Sequence, residues 1–188
     1  FSGLSQGLSD LYVYDLMGSR LQRLTNDAYA ELHPAWSPDS RTIAFATDRF
    51  TTNLDTLAIG HYELATIDAA DAQVQRVQTF AGADSINPQW SRDGRQLYFI
   101  SNRNGIAEVY AVSVGNGATA QLTNVSTGTS GITSSSPALS VAGMRDVAAF
   151  SVYNDGKYDI YTIDAASSRS PAVEPIDNAA GLPPATRK

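Results

Sequence analysis

The side chains able to do chemistry are few, and they recur along the chain instead of gathering. There are two histidines, His33 and His61, no cysteine, and 19 acidic residues against 13 Lys and Arg among 188 residues. Without cysteine there is no disulfide, no thiolate nucleophile and no thiolate zinc site. A metal-dependent lyase needs several converging imidazoles; two histidines in unlike surroundings do not supply them, and His33, just ahead of Pro34, reads as a structural or channel-lining residue. Asp39 and Asp93 each sit in a Ser-x-Asp turn, while Asp10, Glu63, Glu108 and Asp159 each open an apolar run. Carboxylates that repeat in this way suit turn capping and hydrogen bonds between repeats; a glycosidase would need two of them set apart from the rest. The stretch NDGKYD (154–159) offers oxygen ligands but lacks the length and closing Glu of an EF-hand loop, so Asp155-Gly156 is better read as a hairpin turn. The Ser-rich stretch 127–136 holds no G-x-S-x-G elbow and reads as a loop. Asn124-Val125-Ser126 is a formal glycosylation sequon with no supporting context. No metal and no cofactor is expected from this inventory.

Charge and hydropathy narrow the classes further. The net charge is −6, and no basic stripe exists to release counterions from a nucleic-acid backbone. No run of about eighteen apolar residues is present, so no membrane-spanning helix is expected. The apolar fraction of 43% with 17% charged residues describes a folded chain. The first residues, FSGLSQGLSD, have neither an initiator Met nor the pattern of an intact signal peptide, and the expectation is a processed chain or part of a longer polypeptide.

The elements that must position these residues come from a repeat. PAWSPDSRTIAF (34–45) returns as PQWSRDGRQLYF (88–99), 54 residues later. DLYVYD (10–15), ELATID (63–68), EVYAVS (108–113) and DIYTID (159–164) share an acid-led alternating pattern that reads as strand. Fourteen residues beyond each opening acid stands another apolar residue: Leu24, Val77, Leu122 and Val173. Phe1, Phe99 and Phe150 each precede an opening acid by nine residues, whereas Phe45 precedes Glu63 by eighteen, which places an insertion at about 49–60. Each unit thus predicts four short strands: one around Pro-x-Trp-Ser, one such as TIAFAT or QLYFIS, the acid-led strand, and a short fourth at about 74–78, 119–123 and 171–174. Both faces of the second strand are apolar or small, which suits a sheet covered on both sides. Four-stranded sheets repeating every forty to fifty residues are blades of a β-propeller.

The phrases HPAWSPDSRTIAFATDR (33–49) and NPQWSRDGRQLYFISNRNG (87–105), with LTN at 24–26 and 122–124, resemble the TolB-type, WD-like propeller repeat, which also builds the propellers of prolyl-oligopeptidase-type enzymes. The chain departs from it at Ser40 (usually Gly), at Arg92 (usually Pro) and in the eroded opening of the last unit, where Leu139 replaces Trp; these departures bear on local turns. The resemblance implies an all-β propeller of four-stranded antiparallel blades with about three and a half blades present. The expected units are the second half of a blade at 1–26, a blade with its insertion at 27–80, a blade at 81–125, a degenerate blade at 126–176 and a linker at 177–188. Such a set does not close a ring, so a segment of a larger propeller is expected, or two copies sharing one ring.

Function is expected at the loops that join second to third strands, because loops on one rigid face are where sites are built. The segment DRFTTNLDTLAIGH (48–61) leads, with Arg49, Phe50 and Leu54 as anchors for a protein or peptide. The candidate surface comprises His33, Asp48, Arg49, Phe50, Leu54, His61, Arg103, Asn104, Asn154 and Asp155. The reading is a non-catalytic interaction module; the resemblance adds a periplasmic or extracellular location. Two alternatives are a substrate-gating propeller segment of a prolyl-oligopeptidase-type serine hydrolase, whose catalytic domain lies elsewhere, and a carbohydrate-binding propeller.

Overall fold

Alternating β-branched and aromatic residues, punctuated by Asp, Gly and Ser, fold into strands throughout the described part of the chain. The computed structural model describes residues 1–133 and 135–167. The first sheet holds β1 (Ser2–Ser5), β2 (Leu8–Asp15) and β3 (Arg20–Arg23). The second holds β4 (Glu31–Trp36), β5 (Thr42–Thr47), β6 (Glu63–Asp68) and β7 (Val74–Val77). The third holds β8 (Ser85–Trp90), β9 (Gln96–Ser101), β10 (Glu108–Ser113) and β11 (Thr119–Gln121). The last holds β12 (Leu139–Val141), β13 (Val147–Asn154) and β14 (Lys157–Asp164). Sequence neighbours pair antiparallel in every sheet, as blades of a propeller do. The strand expected at 171–174 and the linker expected at 177–188 lie outside the described residues.

Period-two alternation sorts the core between the blades. From β5 and β6, Ile43, Phe45, Ala65 and Ile67 pack with Leu11 of the first sheet. The intervening Ala44, Ala46 and Leu64 join a second cluster with Leu97, Phe99, Val109 and Tyr110 of the third sheet, which continues to Leu139 and Phe150 of the fourth. Both middle sheets are therefore covered on both faces. The outer two are not, and Leu4, Tyr14, Ile160 and Tyr161 are exposed on them.

The repeated turn has one construction in both copies. Ser37 Oγ donates to Asp39 Oδ1 (2.6 Å) and accepts from the Thr42 amide (3.0 Å); Ser91 Oγ does the same with Asp93 (2.7 Å) and Gln96 (2.9 Å). These hydroxyls, with the backbone amides of Arg41 and Arg95, hold both aspartates below the usual carboxylate range. The acid opening the third strand is likewise structural: Thr25 and Thr123, the threonines of the two LTN motifs, accept the Leu11 and Val109 amides at 2.9 and 2.8 Å and lie against Asp10 and Glu108.

Candidate functional site

The loops from second to third strands all leave from the same end of the blades. In the first and fourth sheets this link is a two-residue hairpin, Gln6-Gly7 and Asp155-Gly156, with positive φ at each position. Two consecutive left-handed residues match the twist of the paired strands, which is why Gly recurs at the second position. Asn154 closes the last hairpin opposite Lys157, so Asn154 and Asp155 stand at its tip.

The insertion is braced from within. Asp48 accepts the Ala30 amide (2.8 Å) and the Thr52 hydroxyl (2.6 Å), Thr51 Oγ1 donates to the His61 carbonyl (2.6 Å), and Asn53 and Ala58 exchange backbone bonds at 2.9 and 3.1 Å. Arg49 lies over Tyr29 and pairs with Glu31 (2.6 Å) and Asp27 (3.0 Å). His61 Nε2 lies 3.3 Å from Glu63, which also binds the Arg76 guanidinium at 2.6 Å; Arg76 in turn covers the Phe50 ring. Asp48, Arg49, Phe50 and His61 are thus brought together around one loop, with their charges directed inward. Outward the loop turns Leu54, Leu57 and Ile59, the last two each 78% exposed, interleaved with exposed Asn53, Asp55 and Thr56.

The remaining candidates lie elsewhere. Arg103 is buried and stacks on Phe80, 4.3 Å from its centroid, and burial lowers its pKa; Asn104 is exposed beside it. His33 reaches across three sheets. Its Nδ1 accepts the Asn87 amide (3.3 Å), which leaves the hydrogen on Nε2 to be donated to the Ser135 carbonyl (2.7 Å), and burial lowers its pKa. That neutral tautomer is a spacer between inner strands.

Two features were not singled out from the sequence. Asn87 occupies the repeat position of His33, both ahead of a Pro, and its Oδ1 accepts the Ala138 and Leu139 amides at 2.8 Å each. The shared pre-Pro position was the available signal. The second is a cavity of about 520 Å³ bounded by Gly60 and Tyr62 at the end of the insertion, the ends of β8 and β9, and the segment leading into β12. Among the described residues no group of three or more His, Asp or Glu is placed to hold a metal ion. No helix of the described chain is long and apolar enough to cross a membrane.

No family model matches the chain. A TolB homologue of Chlorobium chlorochromatii is 30% identical over 138 residues, covering 55% of this chain and 31% of that protein. The crystal structure of TolB from Acinetobacter baumannii superimposes with a TM-score of 0.67 at 18% identity, over 89% of this chain and 38% of that one. A puromycin-hydrolyzing peptidase of Mycobacterium tuberculosis gives a TM-score of 0.57 at 18% identity, over 81% of this chain and 23% of that one. The chain therefore spans about a third of the length of these two TolB proteins.

Proposed function

We propose that this chain, a TolB-type β-propeller in its repeat and its fold, is a non-catalytic interaction module that binds a protein or peptide through its loop face. The observation that carries the reading is the division of labour in the insertion. Asp48, Arg49 and His61 are spent on internal contacts that stiffen the loop, while Leu54, Leu57 and Ile59 face solvent beside Asp55. A braced loop that displays aliphatic side chains is suited to burying them against a partner, and loses little entropy in doing so. A periplasmic or extracellular setting belongs to the same reading through the TolB-type resemblance.

The test is site-specific photocrosslinking in the full-length protein. A crosslinker at Leu57 or Ile59 should give a discrete protein adduct in source cells. One at Met17, exposed on the turn between β2 and β3 at the opposite end of the blades, should not. No adduct from the insertion, or the same adducts from Met17, would overturn the reading. The likeness to a puromycin-hydrolyzing peptidase supports a second reading, a gating propeller segment of a serine hydrolase. A G-x-S-x-G segment in the same gene would favour it.

A further inference from the structure

The tip of the insertion carries a residue that its backbone does not favour. Asn53 and Ala58 exchange backbone bonds, and the four residues between them, 54–57, form the loop of a small hairpin. The Asn53 side chain fixes the course of that loop by accepting the Thr56 amide at 3.1 Å. To rejoin the pairing at Ala58 the chain turns left-handed at Leu57, with φ of 55°. Glycine suits such a position, because a Cβ there crowds the following carbonyl. Among the described residues Leu57 is the one large apolar side chain with positive φ; the other non-glycine residues of that kind are polar, apart from Ala72. Burial does not offset the strain, since Leu57 is 78% exposed and Leu54, at the other end of the same loop, is 40% exposed. Two costs therefore meet in one residue: a bulky side chain on a strained backbone, and aliphatic surface left in water. Backbone strain that the surrounding contacts do not explain is a mark of a functional position. Asp55, exposed at the same tip, gives this projecting apolar surface a negative charge.

Resting on the interaction reading above, we propose that Leu57 is the anchor of the interaction, and that the hairpin tip enters a pocket on a folded partner protein, apolar at its floor and lined with Lys or Arg at its rim. The Leu57 side chain fills the floor, where desolvation gives one residue a large share of the binding energy. Asp55 meets the basic rim, which steers the approach and fixes the orientation of the tip. The left-handed backbone at Leu57 holds the side chain in place before the partner arrives, so little ordering is left to be done on binding.

The probe is the polypeptide that crosslinks at Ile59 in source cells, identified by mass spectrometry, purified and titrated against immobilised full-length protein. Leu57→Gly and Leu57→Asn relieve the strain and remove the anchor. Each should weaken binding about tenfold or more while its thermal midpoint stays at or above that of the wild type. Leu57→Met keeps an apolar side chain of similar reach and should bind within about threefold of the wild type. Asp55→Lys should slow association and reverse its dependence on salt, and Met17→Asp, at the opposite end of the blades, should change neither affinity nor rate. Wild-type binding by Leu57→Gly would overturn the anchor and leave the interaction reading standing. A lowered midpoint in Leu57→Gly would overturn it as well, since the leucine would then be holding the loop. Unchanged association and salt dependence in Asp55→Lys would overturn the basic rim. Should Ile59 give no adduct, the anchor and the interaction reading fall together.

Discussion

Ser40 and Gly94 occupy the same place in the two copies of the Ser-x-Asp turn. Both are left-handed, with φ of 58° and 70°, and both donate their amide to the carbonyl of the turn's first serine, at 2.9 and 3.0 Å. The departure from Gly at position 40 therefore does not change the turn; it places a Cβ where L-residues are strained. A Cβ at Gly94 would come no nearer than 3.6 Å to Pro38, so the difference between the two residues is conformational and not steric crowding. Ser40→Gly is expected to stabilise the protein by about 0.5–1 kcal/mol and Gly94→Ser to destabilise it by about 1 kcal/mol. Thermal unfolding of the two variants checks this; a loss of stability in Ser40→Gly would show that the serine hydroxyl contributes more than its backbone strain costs.

At the scale of elements, the inner strands carry the least regular geometry. Pairing of β4 with β5 shifts between Leu32 and Ala35, and pairing of β8 with β9 shifts between Ile86 and Gln89. His33 and Asn87 sit in those shifts with φ of 54° and 53°. The bulge re-aims each side chain out of its own ladder and toward neighbouring blades. Asn87→Ala should strand two backbone amides, at Ala138 and Leu139, and place Ala in a left-handed position. The expected cost is roughly 2–4 kcal/mol in urea unfolding, with hydrogen-exchange protection lost first at those two amides. A variant of wild-type stability would mean that the inner strands are held by packing alone. The regular strands were legible because their signal is local: TIAFAT, ELATID, QLYFIS and EVYAVS coincide with β5, β6, β9 and β10 residue for residue. The bulges were not, since nothing near Asn87 in sequence announces partners 51 and 52 residues away. The cavity escaped for the same reason. Its Ser and Thr residues look like loop composition until the fold places them around one space.

Across the whole molecule the blade junctions differ in kind. Between the second and third sheets an apolar cluster is joined by the Trp90 indole, which donates to the Ala35 carbonyl at 3.0 Å. Between the first and second sheets the apolar cluster is smaller and borders a buried charged network: Arg23 with Asp10, Thr25 between Asp10 and Glu31, and Glu31 with Arg49, which also holds Asp27. Thr25 Oγ1 accepts the Leu11 amide and lies 3.2 Å from Asp10 Oδ1 and 3.1 Å from Glu31 Oε2. A hydroxyl has one hydrogen, so it cannot donate to both acids, and the second contact calls for a proton on a carboxyl. Glu31 is the group that holds it: burial, with a smaller push from Asp27, raises its pKa to about 7 against the opposing pull of Arg49. Because the folded value lies above the unfolded value of 4.5, this contribution to stability is complete below about pH 4.5 and is lost as pH rises through about 7. Unfolding free energy should therefore fall between pH 5 and pH 8 in the wild type, and Glu31→Gln, which keeps a neutral side chain there, should flatten that slope. Hydrogen exchange corrected for intrinsic rates should place the loss in β1–β3 and leave β8–β11 unchanged. An undiminished slope in Glu31→Gln, or opening spread evenly over the sheets, would mean that the proton at this junction does not govern how the first blade docks.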